Sequence, residues 1–114
     1  MGVRENKVER YLDSEVTKLG GLTRKWVSPG RDGVPDRIVI LHGVVIGVEV
    51  KCLDGRMSTA QHRERERLTG VGMTITTVYG STGVDGFILD LERFTDELNT
   101  ITGSKVTNIQ PDYR

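Results

Sequence analysis

The stretch Pro35-Asp36-Arg37-Ile38-Val39-Ile40-Leu41-His42-Gly43-Val44-Val45-Ile46-Gly47-Val48-Glu49-Val50-Lys51 contains two apolar runs that meet at His42-Gly43. Rich in β-branched residues and joined by a two-residue candidate turn, the runs read as a β-hairpin. His42 is not the usual Asn or Asp of such a turn, but His tolerates positive φ better than most residues. With the turn centred between His42 and Gly43, Leu41 faces Val44 and each outward step pairs the next two residues. Five steps on, Asp36 faces Glu49. That register puts two carboxylates on one face of the sheet, their stems roughly 5 Å apart. Lys51 shares the face, because side chains alternate along a strand. A one-residue slip would send the two acids to opposite faces.

Like charges that face each other destabilise a hairpin unless something positive sits between them. Two acids and a lysine converging at the end of an apolar hairpin are what a divalent-metal phosphodiesterase site requires. Acid-x-Lys tripeptides at strand ends are common in isolation; the upstream Pro35-Asp36 and the inferred cross-strand pairing single this one out. Mg²⁺ or Mn²⁺ would suit such oxygen donors and keep several waters.

At 114 residues the chain is long enough for one domain with a single modest core. No apolar run approaches the ~20 residues of a membrane span. Residues Met1 to Arg10 are charged and lack the apolar stretch of a signal peptide. Cys52 is the only cysteine, which excludes a disulfide framework and a cysteine-based zinc site. The expected setting is a reducing, cytoplasmic one. Net charge is zero, arguing against a histone-like polyanion binder, yet the charge is uneven. Residues 1–68 carry 13 Lys and Arg against 10 Asp and Glu, and residues 69–114 carry 3 against 6. Neutralising the candidate ligands with a cation would leave the first part more basic still, which permits nucleic-acid binding.

Around the hairpin the chain alternates helices and strands. Val8, Leu12, Val16 and Leu19 form one stripe of an amphipathic helix over Val3 to Leu19, capped by Gly20-Gly21. Glu5 and, less centrally, Glu9 fall on the buried side of that helix, where an acid needs a partner. Each is a candidate third ligand; the alternative for Glu5 is a role in the first-turn dipole. Leu22 to Ser28 reads as a strand, followed by the glycine-rich loop Pro29 to Gly33, in which Arg31 could meet a phosphate. After the loop Cys52 to Met57, Ser58-Thr59-Ala60-Gln61 fits a capping box opening a helix that runs to Val71. The arginines of this helix are either phosphate contacts or, as alternating signs usually indicate, members of a solvated ion-pair face. Met73 to Tyr79 is a further strand, Gly80 to Gly83 a turn, and Val84, Phe87, Ile88, Leu91, Phe94 and Leu98 the stripe of a last helix. Residues 99–114 read as a tail, either flexible or, through Ile101, Val106 and Ile109, an arm at a subunit interface.

This order, with its acids in these places, resembles the PD-(D/E)xK nuclease superfamily, and more closely the virus-type replication-repair nuclease (VRR-NUC) family. The likeness rests on Glu5-Asn-Lys-Val-Glu9-Arg-Tyr-Leu, Trp26-Val-Ser-Pro-Gly30, Gly33-Val-Pro-Asp36-Arg37, Val48-Glu49-Val50-Lys51, Gly55-Arg-Met-Ser58 and Gln61. It implies an α/β restriction-endonuclease-like core over residues 1–98, a mixed β-sheet flanked by helices in the order α-β-β-β-α-β-α. It implies Asp36 and Glu49 as metal ligands with the carbonyl of Val50, Lys51 as the residue orienting the attacking water, Glu5 as the acid of the first helix and Gln61 as a supporting residue. Lys7 stands where related sequences often carry another acid, which leaves Glu5 and Glu9 as alternatives. Gly83 and Gly86 loosen the last helix relative to the family pattern.

The resulting expectation is a Mg²⁺- or Mn²⁺-dependent endonuclease acting on branched DNA, of the Holliday-junction type, as a homodimer. It has no organic cofactor, and the resemblance suggests a viral or phage origin. Lys25, Arg31, Arg37 and Arg63 are its candidate DNA contacts. The alternatives are a monomeric flap or single-strand nickase and a catalytically silent DNA-binding module of the same fold.

Overall fold

The computed structural model describes the backbone of residues 3–100 and 109–114 and the side chains of 4–97 and 109–114. The expected tail residues Ile101 and Val106 lie outside the described residues. The helix α1, Val3–Lys18, ends where Gly20 takes φ +88°. The Gly20 amide donates to Thr17 O and the Gly21 amide to Val16 O, both at 3.0 Å, which closes the helix in a Schellman motif. Leu12 and Val16 are fully buried, as the stripe requires.

Strand β1, Leu22–Lys25, is shorter than the expected Leu22 to Ser28. Its partner β2, Arg37–Leu41, runs out at Lys25↔Arg37, and only the Trp26 amide continues the ladder, to Asp36 O at 3.1 Å. The hairpin to β3, Val44–Lys51, has the expected register, Leu41↔Val44 through Arg37↔Val48. His42 (φ +50°) and Gly43 (φ +79°) both occupy the left-handed region that a two-residue hairpin turn needs.

Helix α2, Thr59–Gly70, opens with the expected capping box at Ser58. Strand β4, Thr74–Tyr79, lies parallel to β3. Helix α3, Gly80–Thr100, then starts at once: the expected turn over Gly80 to Gly83 is helical, with the corner made at Gly80 (φ +67°). A last strand, β5 (Asp112–Tyr113), pairs parallel with β4 and completes a mixed sheet of order β1-β2-β3-β4-β5.

The end of the expected tail is therefore part of the fold. Tyr113 is 6% exposed, packs edge-on against Phe87 and hydrogen-bonds Asp90, while Ile109 packs partly buried on the same core. The glycines that weaken α3 make this possible. A Cβ on Gly83 would stand 2.4 Å from Tyr113 O, and one on Gly86 3.3 Å from the Tyr113 ring.

Val39, Leu41, Ile46, Val48, Val50 and Val78 point to one face, against Leu12 and Val16 of α1 and Val84, Phe87, Ile88 and Leu91 of α3. The other face, carrying Glu49 and Thr77, is covered by α2. Because β2 pairing stops at Val48 while β3 continues beside β4 to Lys51↔Tyr79, the last turn of β3 overhangs a notch. No described helix is long and apolar enough to cross a membrane.

Candidate active site

Asp36, just before β2, and Glu49, on the overhang of β3, meet at this notch. The Val50 amide, which has no strand partner on the β2 side, donates to Asp36 Oδ2 at 2.8 Å and fixes that carboxyl. Within a strand the amide and carbonyl of one residue leave on the same side, so the Val50 carbonyl faces the notch as well. Glu49 is 2% exposed. Burial, then its hydrogen bond to Asp36 and the repulsion of that carboxylate, push its carboxyl up to about 9; Lys51 opposes the shift and Glu5 adds to it. In the absence of a cation the Glu49 carboxyl is therefore favoured in its protonated form at neutral pH, hydrogen-bonded to Asp36.

Three further expected residues surround the pair. Lys51 is buried on the same face as Glu49, under a tight turn in which Gly55 N donates to Cys52 O at 2.9 Å. A Cβ on Gly55 would lie 3.1 Å from that of Lys51, so the turn lies directly on the lysine stem. Gln61 donates from Nε2 to Glu49 Oε1 at 3.0 Å, while its Oε1 accepts from the Ser58 amide at 2.8 Å. Glu5, half-buried on the first turn of α1, acts on Glu49 through space.

Glu9 lies elsewhere in the electrostatics. Its carboxylate meets Arg37 Nη1 at 2.7 Å, and Arg37 also bonds Asp13 through Nε at 3.1 Å and Nη2 at 3.3 Å. Burial raises the Glu9 carboxyl above its usual range, and Arg37 holds it down. Of the two acids left open by the sequence, Glu9 is thus engaged in tying α1 to β2, whereas among the described residues no arginine pairs with Glu5. The same network engages Arg37, one of the expected DNA contacts. Its side chain is 15% exposed and its donors point at Glu9 and Asp13.

The remaining expected DNA contacts separate. Lys25 lines a recess with Arg10 and Glu9, whereas Arg31 and Arg63 come together beside α2 with Arg67. The sequence reading covered Arg67 only with the other arginines of α2 and did not single out its i,i+3 pairing with Glu64. It also missed that Arg56, Tyr79 and Arg114 line a groove of about 710 Å³ next to Lys51, one wall of which is the β5 segment.

The donor set fits a hard divalent cation: two carboxylates and a main-chain carbonyl, all oxygen, with a proton held where a cation would replace it. Among the described residues no three His, Cys, Asp or Glu side chains close on one point. The site thus offers two carboxylates at first hand, and Glu5 stands outside direct reach.

Relatives of the chain include the following two proteins. The chain is 48% identical over 71 residues to "Putative nuclease p44" of Acyrthosiphon pisum secondary endosymbiont phage 1, covering 61% of this chain and 76% of that protein. A solved structure described as a VRR_NUC domain superposes with a TM-score of 0.71 at 32% identity, covering 77% of this chain and 97% of the other. No family model matches the chain.

Proposed function

The chain belongs to the VRR-NUC family of nucleases, and from that premise we propose that it is a Mg²⁺- or Mn²⁺-dependent endonuclease that cuts branched DNA, Holliday junctions above all, as a homodimer. The observation that carries the reading is the Asp36–Glu49 pair at the notch, the first carboxyl fixed by the Val50 amide and the second buried under Gln61, beside the buried Lys51.

Asp36, Glu49 and the Val50 carbonyl would hold the cation, which when bound supplies an acidified water and offsets charge on the phosphate. The chain's own groups do the rest. The Val50 amide and Gln61 fix the two carboxylates, so that little reorganisation accompanies binding. Lys51 orients the attacking water and meets charge on the phosphate oxygens. Glu5 stands as the acid of the first helix, acting on Glu49 through space. The groove along Leu53, Met57 and Tyr79 has apolar walls for sugar and base and arginines for phosphate.

A dimer is supported by the substrate class: paired nicks across a junction of two-fold symmetry call for two related sites. The test is a cleavage panel of junction, flap, duplex and single strand with Mg²⁺ or Mn²⁺, with the mass of the protein measured in solution. Paired nicks in the junction by a dimer are expected. Preferential cutting of a flap or single strand by a monomer would point to a nickase. Binding without cutting in any metal would point to a silent module.

A further inference from the structure

Arg31, Arg63 and Arg67 come from two segments well apart in sequence and open on one recess of about 210 Å³. Glu64, 7% exposed, lies behind it, 3.2 Å from Arg67 Nη1 and 4.0 Å from Arg31 Nη1. Arg63 has no partner among the described residues. The loop that brings Arg31 is pressed onto the helix: Gly33 takes φ +88°, and a Cβ there would stand 2.3 Å from Ala60 O. Three arginines against Glu64 and the rim residue Asp32 leave the recess positive. At 100° per residue, the recess lies on one flank of α2 and the groove of His62 and Arg65 on the other, with Gln61 between them.

We propose that this recess is a clamp for one backbone phosphate of the bound DNA, with Glu64 as the residue that positions Arg31 and Arg67. Guanidinium forks match phosphate oxygens in pairs, and the buried carboxylate behind them holds Arg67 by a hydrogen bond and draws Arg31 toward it by charge before DNA arrives. The clamp rests on the reading of the chain as a DNA nuclease and adds a second anchor, separate from the Asp36–Glu49 notch.

The experiment is fluorescence anisotropy of a labelled synthetic four-way junction in EDTA, titrated across salt concentrations. It uses wild type, the triple variant Arg31→Ala/Arg63→Ala/Arg67→Ala, and Glu64→Gln. The triple variant should bind at least about tenfold more weakly. Its slope of log affinity against log salt should fall by about 0.9, the share of one duplex phosphate. A fall of about 2.7 would mean three separate phosphate contacts and would overturn the single clamp. So would unchanged affinity. Glu64→Gln removes a negative charge, so attraction by net charge alone predicts tighter binding, whereas the clamp predicts weaker binding; a gain overturns it. Thermal melts identify a misfolded variant, and the triple variant, altered outside the core, keeps the test decisive if Glu64→Gln fails to fold. Cleavage followed in parallel with Mg²⁺ separates the two readings. Loss of the clamp raises KM and keeps kcat, and a wild type that binds but never cuts sinks the nuclease assignment alone.

Discussion

Gln61 joins a helix cap to an acid of the candidate active site: one end of its amide accepts from the Ser58 N–H, and the other donates to Glu49 Oε1. The Ser58 hydroxyl completes the box by accepting from the Gln61 amide at 3.1 Å. The rigidity of Glu49 is thus tied to the first turn of α2.

Ser58→Ala should therefore do two things. Loss of the cap should cost about 1 kcal/mol of stability, seen in denaturant unfolding. Cleavage should fall by more than that loss explains, because Gln61 no longer holds Glu49 in one orientation. Restored cleavage in Ser58→Thr, which keeps the hydroxyl, would separate positioning from bulk stability; an unchanged rate in Ser58→Ala would refute the coupling.

The raised Glu49 carboxyl fixes the sign of a pH effect. Glu49 titrates ordinarily near 4.5 and is pushed up to about 9 in the fold, so across that window the folded chain binds more protons than the unfolded one. Stability contributed by this group is complete below about pH 4.5 and is lost as pH rises toward 9. Metal-free protein should lose melting temperature over this range. Glu49→Gln, which imitates the protonated acid, should flatten the dependence and melt higher than wild type at pH 8. Mg²⁺ should raise the melting temperature of wild type more at pH 8 than at pH 5, and leave Glu49→Gln little changed.

Arg37 should behave as a structural residue. Arg37→Ala leaves the buried Glu9 carboxylate without its cation and should cost about 3 kcal/mol or more in urea unfolding. The salt slope of DNA binding, measured below the melting transition, should stay that of wild type. A slope reduced by about one unit would make Arg37 a phosphate contact after all.

At the other end of the sheet, Gly83→Ala places a methyl against Tyr113 O and should lower stability by about 1–3 kcal/mol. Hydrogen exchange gives the sharper readout. The Thr77 amide, which donates to Pro111 O at 3.0 Å, should lose protection more than amides in the β2–β3 hairpin. Equal loss everywhere would indicate global destabilisation without release of β5.

These contrasts show what the sequence made legible. The hairpin and its register could be read because they are local: a His-Gly turn, β-branched runs and period-two alternation fix which side chains face each other. The positions of Asp36, Glu49 and Lys51 followed, as did the capping box that carries Gln61. What remained hidden was non-local. A two-residue strand such as Asp112–Tyr113 has no pattern of its own, and its only trace was a pair of glycines, Gly83 and Gly86, in an otherwise apolar helical stripe. The partner of Glu9 is Arg37, a residue 28 positions beyond it. Arg31 joined Arg63 and Arg67 only through the docking of Gly33 on α2.

The most direct test of the central claim compares wild type with Glu49→Gln for cleavage of the labelled four-way junction at equal DNA occupancy, with Mg²⁺, with Mn²⁺ and with EDTA. The account predicts cleavage by wild type only when metal is present, and binding without cleavage by the variant. Metal-dependent cleavage by folded Glu49→Gln at the wild-type rate would contradict it.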